Sequence, residues 1–203
     1  MKDSVQIEHR DYTGAKLGMW FFLFTEILLF GGMFLVYAEY RELNTTDFHK
    51  AGLEMNVVVG AANTVILLTS SLTMALSIAA IKKGLRNRSL ALQALTILLG
   101  VAFLVNKYFE WSDHIHHGFY PDSPELLAMS HGTILFFGLY YVMTGIHALH
   151  VIIGISVIAF MSLLTLRGTI SVDDYVKLEN TGLFWHIVDI IWIYLFPLFY
   201  LIL

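Results

Sequence analysis

The chain has 203 residues, of which 57% are hydrophobic and only 14% are charged, and its formal net charge is −4. A soluble domain carries roughly 25% charged residues, so this composition predicts an integral membrane protein. The absence of cysteine excludes disulfides, thiolate metal sites and cysteine nucleophiles, and no basic run of the kind that binds nucleic acid is present.

Five apolar segments follow one another along the chain, and each is long enough to cross a bilayer as a helix. Residues 1–16 carry six charges and lack the apolar core of a signal peptide, so we expect the first span to be retained. The fourth segment is too short for two helices and a turn, and it predicts one steep helix whose first turns extend beyond the membrane. The predicted spans are 17–40, 56–81, 90–111, 128–166 and 181–203, in a single all-α membrane domain over residues 1–203.

The distribution of lysine and arginine predicts the orientation of these spans. If the five spans alternate in direction, nine of these cations lie on the side of the N-terminus, and only Arg41 and Lys50 lie on the other. The nine are Lys2, Arg10, Lys16, Lys82, Lys83, Arg86, Arg88, Arg167 and Lys177. Because the cytoplasmic loops of membrane proteins are enriched in lysine and arginine, we predict a polytopic protein with a cytoplasmic N-terminus.

Glu26 lies near the middle of the first span, within the run LGMWFFLFTEILLFGGMFLVYAEY at 17–40. About ten residues separate its carboxyl from the charged flank on either side, which leaves it far from water. A carboxyl at this depth costs several kcal/mol unless it is protonated, paired or facing a polar cavity. Glu26 is therefore the first candidate for a functional residue.

Five further ionisable residues are predicted to lie inside the membrane as a buried polar network. Counting about 1.5 Å per helical residue from the charged flanks places one group about 8–13 Å from the inner face. A second group lies in the outer half, with its two histidines about 25–30 Å from the same face. The inner group comprises Glu26, His186 and Asp189, and the outer group comprises Glu110, His147 and His150.

Three interpretations of these groups stay open. The residues satisfy one another and tie helices together, or they hold a lipid headgroup or face a proton-conducting cavity. The third interpretation is a metal site, because His147 and His150 at i and i+3 share a helix face that Glu110 would complete. A separate acidic and histidine-rich cluster is expected in a solvated loop and comprises Asp113, His114, His116 and His117.

The sequence predicts no catalytic residue and no bound metal in this chain. His147 and His186 differ by about 20 Å in predicted depth, so we expect no haem between them. No Gly-rich phosphate loop and no Ser-His-Asp set is present.

Small and polar residues predict the faces on which the helices pack. Asn63 and Ser70 lie on one stripe of the second span, and Gly145 lies in the fourth. Small residues let helix backbones approach closely, and polar side chains form hydrogen bonds between helices. We therefore expect all three residues at helix–helix contacts.

Five short motifs occur in a recognisable order. They are WFFLFTEILLFGGMF at 20–34, ANTV at 62–65, FEW at 109–111, GIHALHVIIG at 145–154 and WHIVDIIW at 185–192. Together they resemble the signatures of the cytochrome c oxidase subunit III family, in which the helix that matches the first motif carries a buried glutamate. The chain has five spans, whereas the long form of that family has seven, so the chain resembles a short bacterial form.

The resemblance implies a function. The family is a non-redox core subunit of haem-copper terminal oxidases in the aerobic respiratory chain, and haem and copper are expected in the partner subunits I and II. It is expected in the bacterial inner (plasma) membrane, to bind phospholipid, to support proton uptake and to stabilise the enzyme during oxygen reduction. Glu26 matches the glutamate that carbodiimide reagents modify in family members.

Two alternatives to this function stay open. The first is an accessory protein of nitric-oxide reductase type, which would share the fold. The second, from another class, is a membrane metalloenzyme that uses Glu110, His147 and His150.

Overall fold

The computed structural model describes residues 12–201, and all regular structure within that range is helical. Five helices are long and apolar enough to cross a membrane, which confirms the predicted five-span all-α fold. Two short helices and a π-helical turn were not predicted. The long helices are α1 (Tyr12–Leu43), α3 (Val57–Lys82), α4 (Arg86–His116), α6 (His131–Arg167) and α7 (Val176–Phe196), and the shorter elements are α2 (Thr45–Leu53), α5 (Pro124–Leu127) and the π-helical turn Pro197–Leu201.

Most helices extend past the predicted spans. The first helix already includes Tyr12, and α4 begins at Arg86 rather than at residue 90. A helix satisfies its own backbone hydrogen bonds, so it continues into polar flanking sequence after the apolar run has ended. The fourth span is one helix from His131 to Arg167, as predicted, and it ends at Gly168, whose φ of 81° is the left-handed conformation that favours glycine at a helix C-terminus.

Most of the described lysines and arginines gather at one end of the bundle, which we call the basic end. There Lys16 Nζ lies 3.2 Å from Glu179 Oε2, and Lys82 forms an ion pair with the same carboxylate. Arg86 donates to the backbone oxygen of Leu166. These contacts join the start of α1, the α3–α4 connection and the α6–α7 connection. Successive helices therefore run in opposite directions and bring the basic segments to one end, as the orientation prediction assumes. Lys2 and Arg10 lie outside the described residues.

Helix α7 lies at the centre of the bundle and packs against α1, α3 and α6. Trp185 and Trp192 are fully buried along it. Their indole nitrogens donate to Ser70 Oγ and Thr64 Oγ1 of α3, each at 3.0 Å, so the two large side chains bury no unsatisfied donor. Ser70 is thus at a helix contact, as predicted.

Close helix approach occurs at glycines that face Trp185. A Cβ added to Gly154 would lie 2.7 Å from the Trp185 ring, and one added to Gly100 would lie 2.9 Å from it. At Gly145 the nearest atom would be 3.9 Å away, in Trp111, which is ordinary contact. Gly145 therefore faces α4 at an ordinary contact distance, whereas the tight contacts form where the bulky indole requires space.

Asn63 is buried and supports the pairing of α3 with α4. Its Oδ1 accepts a hydrogen bond of 2.9 Å from Asn106 Nδ2. This is the polar contact between helices that the second span predicts.

Helix α2 covers the end of the bundle opposite the basic end. Phe48 is buried there, and its ring lies 5.5 Å from both the Tyr37 and Phe136 rings in edge-to-face geometry. These contacts hold α2 against the ends of α1 and α6.

Candidate functional site

Glu26 and His150 form a polar pair between α1 and α6. Glu26 Oε2 lies 2.8 Å from His150 Nε2, and His150 Nδ1 lies 2.8 Å from the backbone oxygen of Ile146. A backbone carbonyl only accepts hydrogen bonds, so Nδ1 carries a proton. A second proton must therefore lie between Nε2 and Oε2, on the imidazole or on the carboxyl. The pair is built to hold one exchangeable proton.

This pairing corrects the predicted grouping, which placed Glu26 in the inner half and His150 in the outer half. The depth estimate for Glu26 was too small because it was counted from the charged flank of the predicted span, whereas the estimate for His150 agrees with the structure. Helix α1 extends at least to Tyr12, so Glu26 lies about 21 Å from that point. Counting back from Arg167, the end of α6, places His150 about 25 Å along that helix.

The Glu26–His150 pair, together with Asn180 and Thr181, forms the polar part of a mainly apolar cavity of about 390 Å³. The Glu26 side chain is 12% exposed and the His150 side chain 13% exposed. The cavity therefore gives a small molecule or a solvent proton access to groups that are mostly buried. The other lining residues are Met19, Phe22, Ile153, Val157 and Phe184.

A second polar cluster surrounds Lys107, which the sequence analysis did not select as a candidate. Lys107 Nζ donates to Glu110 Oε2 at 3.1 Å, to Tyr140 Oη at 2.9 Å and to Tyr200 Oη at 3.0 Å. Tyr140 and Tyr200 also donate to Glu110 Oε1, the former at 2.7 Å. The side chains of Lys107 and Glu110 are only 3% and 4% exposed.

All hydrogen-bond donors and acceptors of the Lys107–Glu110 ion pair have partners. The ammonium uses its three protons, and each carboxylate oxygen accepts at least one hydrogen bond. A closed and satisfied network of this kind fixes helices relative to one another and leaves no free group for a ligand. The sequence signal was available, because a lysine and a glutamate at i and i+3 in an apolar span share a helix face.

His147 belongs to neither polar group. It is fully buried, and its ring lies 5.5 Å from Phe103 and 5.4 Å from Trp192. Neither ring nitrogen has a hydrogen-bond partner among residues 12–201. The predicted set of Glu110, His147 and His150 is therefore not brought together. Nor does the described part of the chain contain any group of three potential ligands close enough to hold a metal ion.

His186 and Asp189 lie on α7, away from Glu26. His186 Nδ1 is 2.6 Å from Ser71 Oγ of α3, and Ser71 also interacts with the Asp189 carboxyl. Asp189 is 2% exposed, and its carboxyl faces Ser71 without a hydrogen bond of good geometry in the described chain. The predicted inner group is thus divided: Glu26 pairs across to α6, while His186 pairs with α3.

The histidine-rich cluster is not the solvated loop that the sequence predicts. Its first residues form the last turn of α4, and His114 is only 5% exposed. The His114 ring packs 5.5 Å from the Tyr140 ring, which draws it into the core. His117 follows the helix and is exposed, with Nδ1 2.8 Å from the backbone oxygen of Asp113.

Comparison with known proteins gives consistent matches along the chain. The sequence model of the family described as cytochrome c oxidase subunit III matches residues 5–202. A cytochrome c oxidase subunit 3 from Thermostichus vulcanus is 32% identical over 198 residues, which cover 96% of this chain and 90% of the relative. A cytochrome bo(3) ubiquinol oxidase subunit 3 from Pseudomonas aeruginosa is 30% identical, with 96% of this chain and 88% of the relative covered.

One relative is much longer than this chain. A heme-copper oxidase subunit I+III from Aeropyrum pernix is 31% identical over 206 residues, which cover 97% of this chain. The chain spans only 24% of that relative.

Proposed function

The chain belongs to the cytochrome c oxidase subunit III family, and from this membership we propose that it is the non-redox subunit III of a haem-copper terminal oxidase. It is a multi-pass membrane protein with five membrane-spanning helices. In the proposed complex it packs beside subunit I, with subunit II as a further partner, in a bacterial inner membrane. The name of the Aeropyrum relative, which joins subunits I and III, supports direct contact between the two.

We place the haem and copper of this complex in the partner subunits. In the described part of this chain His150 is bonded to Glu26 and Ile146, and His186 is bonded to Ser71. Haem iron needs imidazole nitrogens free to act as axial ligands. His147 has free nitrogens but is enclosed by the Phe103 and Trp192 rings, so neither His147 nor His150 fits a haem, and the Ser71 contact leaves His186 only its Nε2.

The Glu26–His150 pair carries the proposal that this subunit supports proton uptake. It holds one exchangeable proton between Oε2 and Nε2, and it faces a cavity rather than the closed core. An imidazole and a carboxyl at hydrogen-bond distance are a donor and an acceptor between which a proton can pass. The apolar lining of the same cavity suits a phospholipid chain, which would control the access of water to the pair.

Purification in mild detergent from the native membrane tests the proposed assembly. We expect the chain to co-purify with a haem-bearing subunit, and the purified complex to reduce oxygen. Purification without any haem-bearing partner would refute the proposal. Co-purification with a complex that reduces nitric oxide but not oxygen would instead support the accessory-protein alternative.

A further inference from the structure

The cavity at the Glu26–His150 pair extends from the pair toward the basic end. On α1 its lining residues precede Glu26, on α6 they follow His150, and on α7 they lie in the first three turns. The start of α1, the end of α6 and the start of α7 all lie at the basic end, so every one of these positions is on the basic-end side of the pair. They are Met19 and Phe22 on α1, Ile153 and Val157 on α6, and Asn180, Thr181 and Phe184 on α7.

Phe30 closes the pair on the opposite side. It lies about one turn beyond Glu26 on α1, and it is 1% exposed. Its ring lies 5.4 Å from the His150 ring in edge-to-face geometry. A buried ring packed against the imidazole excludes water from that side. The approach to the pair therefore runs from the basic end.

Asn180 lies where this cavity meets a second one. It lines the cavity at the pair and also a cavity of about 420 Å³ at the basic end, whose wall includes Lys16 and Glu179. The Lys16 side chain is 52% exposed and lies 3.2 Å from the Glu179 carboxylate. The second cavity thus borders solvent at a charged mouth, and Asn180 stands between this mouth and the pair.

The Asn180 amide has one fixed hydrogen bond and one free acceptor. Its Nδ2 donates to the backbone oxygen of Ala15 at 3.2 Å, whereas its buried Oδ1 has no hydrogen-bond partner in the part of the chain that the structure describes. Buried amide oxygens ordinarily accept a hydrogen bond, from protein or from water. A water molecule in either cavity would supply the donor, whereas a lipid chain offers none.

The neighbouring Thr181 adds a second acceptor to the cavity. Its Oγ1 donates to the backbone oxygen of Lys177 at 2.9 Å, which leaves the hydroxyl lone pairs available. About 16 Å of helix then separates Ala15 from Glu26. The apolar part of this distance is the section where the Phe22 and Phe184 rings lie 5.9 Å apart. Polar groups hold water on both sides of that section.

We propose that Asn180 is a positioning residue for water, past which protons from the basic end reach the Glu26–His150 pair. This inference rests on the proposed function, because it gives the route that supplies the proposed site of proton uptake. The Asn180 amide holds a water molecule between the two cavities. A short file of water molecules then carries the proton past the two phenylalanine rings to the carboxyl and the imidazole.

Substituted cysteines test whether water fills this route, since the chain has no native cysteine. Ile153→Cys lies in the cavity, and Ile152→Cys, on the neighbouring residue outside its lining, is the matched control. The two isoleucines are 44% and 49% exposed. The probe is aminoethyl methanethiosulfonate, applied to the intact complex in lipid nanodiscs and read from the mass of this chain. Because the thiolate is the reactive form and apolar surroundings suppress it, we expect Ile153→Cys to react about tenfold faster than Ile152→Cys.

Variants of Asn180 in the Ile153→Cys background test the residue itself. Asn180→Leu removes the amide and its contact with Ala15, whereas Asn180→Ser removes the same contact but keeps a hydroxyl for water. We expect Asn180→Leu to slow the labelling of Ile153→Cys about tenfold and Asn180→Ser to slow it less than about twofold. The rate of proton uptake by the complex should fall in the same order.

Two results would overturn the inference. Equal labelling of Ile153→Cys and Ile152→Cys would mean that lipid rather than water fills the cavity. Equal slowing by Asn180→Leu and Asn180→Ser would mean that the contact with Ala15, and not a bound water, accounts for the effect. Both are read from a complex that has co-purified with its haem, so they leave the proposed function standing. If no haem-bearing subunit co-purifies, the proposed function fails instead.

Discussion

Glu26 of α1 and His150 of α6 are 124 residues apart in sequence, and their side chains meet at 2.8 Å. His150 is oriented for this contact by its other ring nitrogen, which is bonded to the backbone of its own helix one turn earlier. The carboxyl therefore meets an imidazole that is held in place before any ligand or partner arrives. This relationship distinguishes the cavity from the closed Lys107 cluster and leads to the first prediction.

Replacing Glu26 by glutamine should preserve assembly but slow proton uptake. A glutamine amide donates to His150 Nε2, so the contact between α1 and α6 remains and stability should change by no more than about 1 kcal/mol. The amide does not exchange its proton with the imidazole as a carboxyl does. We expect the rate of proton uptake during turnover to fall about a hundredfold, the lower end of the range over which positioned acid–base groups contribute to proton transfer.

Glu39→Gln is the matched control for Glu26→Gln, because Glu39 is exposed on the same helix. Proton uptake is measured with a pH-sensitive dye in vesicles that contain the complex. Unchanged uptake with Glu26→Gln would contradict the proposed site. Loss of the haem-bearing subunit with Glu26→Gln would assign the pair to assembly instead.

Lys107 should be needed for stability only while Glu110 is charged. Lys107→Met leaves a carboxylate buried without its cation and should cost about 3–5 kcal/mol. In the double variant Lys107→Met with Glu110→Gln the buried charge is absent, so most of that loss should be recovered. Thermal unfolding of the four proteins of this cycle in detergent gives the coupling energy. Equal losses in the Lys107→Met single variant and the double variant would contradict the account.

Two glycines of α6 should respond differently to alanine. In Gly154→Ala the new methyl group would lie 2.7 Å from the Trp185 ring, so the helices must separate, at a cost of about 1–3 kcal/mol. In Gly145→Ala the methyl group meets Trp111 at 3.9 Å, and the better helix propensity of alanine should stabilise the chain slightly. Thermal unfolding of the two variants decides the matter, and equal stabilities would refute the assignment of close approach to Gly154.

The orientation of the bundle remains a prediction that the absence of cysteine makes easy to test. Single cysteines at Lys50 and Lys83 would lie at opposite ends of the bundle, and no native thiol competes with them. In spheroplasts, a membrane-impermeant maleimide should label Lys50→Cys and spare Lys83→Cys, because the basic end is expected inside. The opposite labelling pattern would reverse the orientation.

The sequence predicts the helices of this protein well and their lateral contacts poorly. Apolar length alone identifies all five spans, since a membrane admits few alternatives to a helix. The contacts between two spans depend on the residue at which each helix begins. That residue is hard to predict because the helices continue into polar flanking sequence. Glu26 was therefore assigned to the wrong partners, although its selection as a buried carboxyl needed only its position in the span.

The Lys107 cluster was missed for a different reason. A lysine near the end of an apolar span is expected to extend toward water, so it attracts less attention than a carboxyl at the centre. In the structure it points inward because Tyr140 and Tyr200 supply the two acceptors that water would otherwise provide. That arrangement depends on the π-helical turn after α7, which the sequence pattern does not predict.

Lys107 and Tyr200 are 93 residues apart in sequence, so the lysine is synthesised well before its tyrosine partner. A nascent chain inserts α4 well before the ribosome has made the turn at Pro197–Leu201, so the ammonium awaits its last acceptor through the synthesis of α6 and α7. Until then the ion pair lacks the Tyr200 hydroxyl, and we expect the incomplete bundle to be a good substrate for membrane quality-control proteases. The π-helical turn therefore completes the hydrogen bonding of a lysine that lies near the middle of the chain.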